Sequence, residues 1–477
     1  MTLSKLHYVN VGKHGTFEGS STPQSDIDAL FEYLGKNNKR KVLIHFHGGL
    51  VKETDGEETA QRMIATFEGT DVHVVSFVWE TGFGETVIRN LDKISSTALF
   101  KKILEIVSRK VGTKLGLNVD GARGMADMGY PEVREELTKT RPLEDYEPVA
   151  RGRSNQIKES ELYIIEDEVF QELEEEINTK SEVAILLETE APETELFDQQ
   201  YAIDSTQRGE RGPITLAVLK ALAAIVVNVI RRYIRKTDHS LYPTIVEEVL
   251  RELYLADFGK WMWSGMKAIA EDGMWKSNNG LSGQQQHVGT YFWGKLFEYK
   301  QKHPDFKLDL CGHSAGSIAV CNLLKNAFIQ DKEIPVRYIF LLAPACRTDL
   351  FYDEILTKPT RYEHILMYTM TDEGERMNQL LNRVYTHSLL YLVSGLFEQE
   401  TDMPILGMQR FLTKSNTYAD PVMFEKVSAF FNDENLISPI TLDAALDGFR
   451  CSSTTHGDFD NDPLTLASLK HITTQNA

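Results

Sequence analysis

The residues Gly312-His313-Ser314-Ala315-Gly316 form a G-x-S-x-G string. A serine hydroxyl becomes a nucleophile when a neighbouring base takes its proton. The string suits a tight strand-to-helix turn that lifts the hydroxyl above a sheet, because glycines on both sides remove the Cβ atoms that would clash. The flanks supply both elements: the apolar run Phe306 to Cys311 predicts a strand, and Ser317 to Phe328 predicts a helix. The alternative, an ordinary Gly-rich turn with a capping serine, requires neither flank.

Histidine is the side chain whose proton affinity suits the base near neutral pH. An elbow of this kind is followed along the chain by an acid and then by the base. Of the 13 histidines, His456 follows a predicted last strand, in Ser452-Ser453-Thr454-Thr455-His456-Gly457. His471 comes later but lies on a predicted terminal helix. The acid, which orients the imidazole, is expected at Asp372, just beyond the predicted strand His364 to Met370. Glu373 and Glu375 are adjacent, and Asp349 lies in the loop after the preceding strand.

Acyl transfer also needs N–H donors for the developing oxyanion. Ala315, after the serine, is one expected donor. The loop His47-Gly48-Gly49-Leu50 supplies the other through Gly49 or Leu50. His47, Gly48 and His313 are expected to line the substrate. Asp458, Asp460 and Asp462 suggest a cation cluster, but Asp462 before Pro463 reads as a helix N-cap. With no CxxC pair and no HExxH helix, spacing gives no support for a metal site.

The elements that must hold these residues read as strand, helix, strand at the start. Leu6 to Val11, Val42 to Phe46 and Val72 to Trp79 are β-rich runs, with helical patterns at Asp26 to Leu34, where Ser25 or Asp26 caps, and at about Glu57 to Phe67. After the long helix His287 to Lys302 and the elbow, further strands are expected at Arg337 to Leu342, His364 to Met370 and Phe449 to Ser452. Alternating strands and helices predict an α/β fold with a mostly parallel sheet flanked by helices. Chemistry collects at the carboxyl ends of such strands. From about Gly84 to Gly283 there is no strand train, so the domains are expected as 1–83, a mainly helical insertion at 84–284, and 285–477.

These motifs resemble the α/β-hydrolase superfamily, in its bacterial esterase/lipase-like branch, over residues 1–80 and about 285–470. The resemblance implies an eight-stranded sheet, a triad of Ser314, Asp372 and His456, and no cofactor. The departure is the long insertion between the fourth and fifth strands, where lipases and esterases seldom carry one. Within it, Ile214 to Ile230 is almost wholly apolar and runs into Arg231, Arg232, Arg235 and Lys236. That pattern fits a buried helix, or a lid touching an anionic membrane surface; Lys220 in its middle argues against a membrane span. Trp261, Trp263 and Trp275 would line an acyl pocket or a helical core. The Glu-rich stretch Glu159 to Glu195 reads as a solvated helix and loop, with a basic partner as its rival.

Composition bounds the classes. The chain has 477 residues, 42% of them hydrophobic, and a formal net charge of -19 from 70 acidic and 51 basic residues. That balance argues against a broad nucleic-acid surface. Met1 to Val11 has no secretory pattern, and four cysteines are too few for a disulfide scaffold. A cytoplasmic protein, peripheral at a membrane if the lid touches one, is expected. The expected activity is hydrolysis of a carboxylic ester, of a lipid or other hydrophobic substrate. A membrane-acting phospholipase is a narrower form of it, and thioesterase, amidase or peptidase chemistry uses the same triad. A non-catalytic binding protein on the same scaffold is the rival class.

Overall fold

The computed structural model describes residues 4–49, 53–79, 83–117, 124–125, 128–177, 181–191, 197–198, 201, 214–254, 263–381, 384–413, 420–439 and 446–475. Seven strands form one sheet: β1 (Tyr8–Val11), β2 (Lys41–Phe46), β3 (Val72–Trp79), β4 (Lys307–His313), β5 (Val336–Leu342), β6 (Tyr362–Tyr368) and β7 (Leu436–Ile437). Their order is β1-β3-β2-β4-β5-β6-β7, and every neighbouring pair is parallel. Every residue of β2 and β3 is buried, as expected of parallel strands covered on both faces.

Two expectations about the sheet are corrected. Among the described residues there are seven strands, not eight, and the long strand-free stretch falls between β3 and β4 rather than between a fourth and a fifth strand. The segment Phe449 to Ser452 is not a strand. Around the single bridge residue Cys451, side chains hold the segment's backbone: Ser468 Oγ accepts from Arg450 N and donates to its carbonyl, and Asp462 accepts from Ser452 N. Amides served in this way have no need of a ladder partner. The edge position belongs instead to the two-residue β7.

One face of the sheet packs Leu43, Val74, Cys311, Phe340 and Leu366 against Met63 of the helix Glu53–Thr66, Phe67 just after it, and Leu466 and Leu469 of the terminal helix Pro463–Thr474. As read from sequence, Asp462 caps that helix, its side chain accepting from Thr465 N, with Pro463 at the first helical position. The first helix, Gln24–Lys36, starts two residues earlier than expected, so Pro23 stands at its N-cap rather than Ser25 or Asp26. Elsewhere the rings of Phe46, Phe77, Trp275 and Phe292 pack together. Trp263 and Trp275 are therefore core side chains, both 2% exposed; Trp261 lies outside the described residues. None of the four cysteines is in a disulfide, and all four are buried.

The chain divides into two compact units: residues 1–85, 262–378 and 404–477 form the sheet-bearing unit, and 86–261 with 379–403 form the second. The second is helical. Its helices Ala98–Lys114, Leu162–Glu176, Ile214–Arg235 and Leu241–Leu253 pack on one another. Most described side chains of Ile214–Arg235 are buried within this packing, with Leu216 its exposed large apolar residue. Among the described residues no helix is long and apolar enough to cross a membrane. Arg232 of this helix is buried against Glu247 and Glu248, and His239 lies between Glu247 and Asp402. The second unit also holds a cavity of about 440 Å³ lined by apolar residues such as Phe100, Leu104 and Tyr242. Lys102, Glu105, Arg134 and Glu182 of its wall are ion-paired with one another.

Candidate active site

The strand order reverses direction between β2 and β4. From β2 the chain moves to β3 on one side, and from β4 it moves through β5 and β6 on the other. In open α/β sheets ligands bind at such a point, beyond the carboxyl ends of the strands. The loop after β2 is His47-Gly48-Gly49 and the loop after β4 holds Ser314. The register His45↔Cys311 and Phe46↔Gly312 brings the two side by side.

Ser314 has φ 49°, a left-handed backbone that a non-glycine residue adopts only under constraint. The constraints are visible. Ser314 N donates to the Leu342 carbonyl at 2.8 Å, and the Ser314 carbonyl accepts from Ala345 N at 3.0 Å and from Ser317 Oγ at 2.6 Å. The helix Gly316–Ile329 leaves at once, and Gly316 admits it. A Cβ on Gly316 would lie 2.1 Å from the Phe46 carbonyl oxygen, and one on Gly312 would lie 2.7 Å from the Gly316 carbonyl oxygen. The turn is thus possible only with glycine on both sides.

His456 begins a short 3-10 turn, His456–Asp458, and its Nε2 lies 2.9 Å from Ser314 Oγ. The structure therefore brings together the two residues expected to exchange a proton, 142 positions apart. Both are nearly buried, at 4% exposure each. Burial, together with the nearby His313 and against the pull of Asp460, lowers the His456 pKa to about 3. The ring is therefore neutral at pH 7. With Nε2 accepting from the serine, Nδ1 carries the proton; it is buried and has no hydrogen-bond partner among the described residues.

Asp372 does not supply that partner. Thr371 caps the helix Asp372–Met377, its side chain accepting from Gly374 N, so Asp372 becomes a half-buried first-turn residue of that helix. Of the neighbouring acids weighed with it, Glu375 is the fully buried one. Asn378, at the end of the same helix, accepts from the His456 backbone N–H through Oδ1 at 3.3 Å. Asp349 pairs with Arg347 in its own loop.

The loop after β2 is shaped by His47 rather than opened by it. The Trp79 backbone N–H donates to His47 Nε2 at 3.1 Å, which fixes the proton on Nδ1, and Nδ1–H donates to the Gly48 carbonyl at 2.6 Å. The ring also stacks on Trp79, with centroids 4.2 Å apart. Burial first of all lowers the His47 pKa to about 4, so the residue expected to line substrate is neutral at pH 7 and clamps its own loop through both ring nitrogens. Gly48 sits on the elbow: a Cβ there would lie 3.1 Å from His313 Nδ1 and 3.3 Å from the Ser314 Cβ. Gly49 approaches the other expected donor, since its Cβ would lie 2.8 Å from the Ala315 Cβ and 2.2 Å from Met266 Sδ. Ala315 stands at the N-cap of the elbow helix, where amides lack partners inside the helix. Leu50 lies outside the described residues.

His313 also turns inward. It is 5% exposed, its Nδ1 lies 2.8 Å from Asp460 Oδ2, and its Nε2 lies 3.0 Å from the His456 carbonyl oxygen. Both ring nitrogens of the residue expected to line substrate thus face protein groups. Asp460, read in sequence only as part of an aspartate run, is buried at 4% exposure. Its position four residues past His456 was the available signal, but nothing in that spacing said which way it faced. Among the described residues no group of three or more metal-type side chains is assembled. No family model, curated protein or solved structure matches the chain, so its chemistry is read from this geometry. The arrangement can pass the Ser314 proton to His456 and present N–H groups beside the attacking oxygen.

Proposed function

We propose that the protein is a serine hydrolase on an α/β-hydrolase fold that cleaves a carboxylic ester of a lipid or other hydrophobic substrate. The supporting observation is the hydrogen bond of 2.9 Å between His456 Nε2 and Ser314 Oγ, at a serine held with positive φ at the switch point. As Oγ attacks the ester carbonyl, its proton passes to Nε2. The tetrahedral oxyanion is met by the N–H groups of Ala315 and Gly49, and the alcohol departs with the proton from Nε2. Water then attacks the acyl-enzyme by the same route in reverse. Strand order, and the nucleophile standing before the base along the chain, support the fold assignment. The absence of an eighth strand among the described residues is the departure from it.

The test is turnover of p-nitrophenyl butyrate. Ser314→Ala is expected to lower kcat by at least about a thousand-fold, and equal rates for variant and parent would remove the assignment. One observation favours a rival, a non-catalytic binding protein on the same scaffold: the unpartnered Nδ1 leaves the imidazolium formed at His456 without the anion that usually stabilises it. That rival requires Ser314 to remain unlabelled by a fluorophosphonate probe.

A further inference from the structure

His313 stands directly before the serine, and its two ring nitrogens meet two acceptors. The His456 backbone carbonyl can only accept, so Nε2 at 3.0 Å carries a proton. Nδ1 faces Asp460 Oδ2 at 2.8 Å. A carboxylate there also accepts, and then both nitrogens are protonated and the ring is an imidazolium.

The surroundings agree. Burial works against each charge, yet the Asp460 carboxylate and the His456 and Asp458 groups raise the His313 pKa. Burial likewise opposes the Asp460 charge, but His313, His45 and His47 hold its carboxyl below the usual range. The charged and titratable groups facing His313 are thus Asp460, Asp458 and His456 from the turn after β7, and His45 and His47 from β2 and its loop.

Geometrically, His313 binds both ends of the segment 456–460, taking the carbonyl of one end and the side chain of the other. The His456 N–H is held at the same time by Asn378 Oδ1. The turn that carries the base is therefore stapled to the strand that carries the serine, through the residue adjacent to that serine.

We propose that His313 is a positioning residue, a buried imidazolium neutralised by Asp460 that fixes the backbone of His456 and so holds its Nε2 against Ser314 Oγ. The assignment rests on Ser314 and His456 being the nucleophile and base proposed above.

Two measurements on the full chain test it. In protein labelled with ¹⁵N-histidine, the His313 resonances, assigned by their loss in His313→Gln, are expected to show both nitrogens protonated at about pH 6.5, where an ordinary imidazole is half neutral. An unprotonated nitrogen on His313 at that pH overturns the proposal. In His313→Gln, fluorophosphonate labelling of Ser314 is expected to slow about ten- to a hundred-fold, the scale of a small misplacement of a reacting group. Its pH midpoint is expected to rise, because the cation opposing protonation of His456 is gone while Asp460 remains. Slowing with an unmoved midpoint would mark a general structural loss and overturn the role.

A single variant leaves a buried carboxylate without its cation and can unfold, so His313→Gln/Asp460→Asn is measured beside it. That double variant is expected to fold and to label slowly, and labelling at the parental rate overturns the proposal. If the parent itself is not labelled at Ser314, the hydrolase assignment fails, while the nitrogen signals of His313 remain readable. If Ser314 is labelled and the signals are wrong, this proposal fails alone.

Discussion

In the proposed chemistry the Ser314 proton passes to His456, whose electrostatics then set the pH behaviour. Burial holds the His456 pKa at about 3, below the ordinary 6.5, so the base stays neutral as pH falls below 6.5. Labelling at pH 6 is therefore expected to run within about two-fold of the rate at pH 7.5, whereas an ordinary histidine would lose about four-fold. A four-fold loss on folded protein would contradict the assigned environment. The acid is tested by turnover. No described carboxylate meets His456 Nδ1, so Glu375→Gln, at the buried carboxylate of the helix that reaches the His456 N–H through Asn378, is expected to lower kcat by less than about ten-fold, against the roughly 10²- to 10⁴-fold loss of an orienting carboxylate. Asp372→Asn is expected to stay within a few-fold of the parent, and a loss of the larger size would restore Asp372. The meeting of Ser314 with His456 was legible because a G-x-S-x-G strand-to-helix turn has a backbone signature and His456 follows it late in the chain. The choice among Asp372, Glu373 and Glu375 was not, since helix capping by Thr371 decides which of them faces inward.

At the scale of elements, the site depends on how closely the elbow helix approaches β2. A Cβ on Gly316 would stand 2.1 Å from the Phe46 carbonyl oxygen, so Gly316→Ala must push backbone from backbone. The expected cost is about 2–3 kcal/mol in urea unfolding, with loss of Ser314 labelling. Gly35, on the helix Gln24–Lys36, has nothing within 4 Å of its Cβ position. Gly35→Ala is expected to be neutral or to stabilise by up to about 1 kcal/mol; equal effects of the two substitutions would mean the elbow is not tightly packed. The parallel strands β2 to β6 could be read from sequence because burial on both faces writes continuous apolar runs. Phe449 to Ser452, Phe-Arg-Cys-Ser, carries no such run, and its fate turns on Ser468 and Asp462, which reach it from the helix later in the chain and its cap. Local pattern does not contain that competition. The same holds for His47, whose partner Trp79 lies on another strand.

Across the whole molecule, neutral histidines are a common feature of the buried interior. Burial lowers His45, His47 and His73 to about 4 and His456 to about 3. A folded-state pKa below the unfolded value gives stability that is present above about 6.5 and is lost as pH falls through the folded value. Each such histidine contributes up to about 1.4 kcal/mol per pH unit, and four together up to about 5. His313 has the opposite sign, its contribution being full below about 6.5 and lost as pH rises through its raised value. The urea midpoint is therefore expected to drop steeply between pH 6.5 and 5; a flat midpoint would show that these rings take protons while folded. The division into units was only partly legible. Residues 262–284 and 379–403 belong to units that their local sequence does not announce, because membership follows from packing across long chain separations. The central claim concerns one pair of atoms. Mass spectrometry of the protein after a fluorophosphonate probe tests it most directly: an adduct on Ser314 in the parent, absent in His456→Ala with the fold retained, is the predicted result. An unmodified Ser314, or equal modification in both proteins, would contradict it.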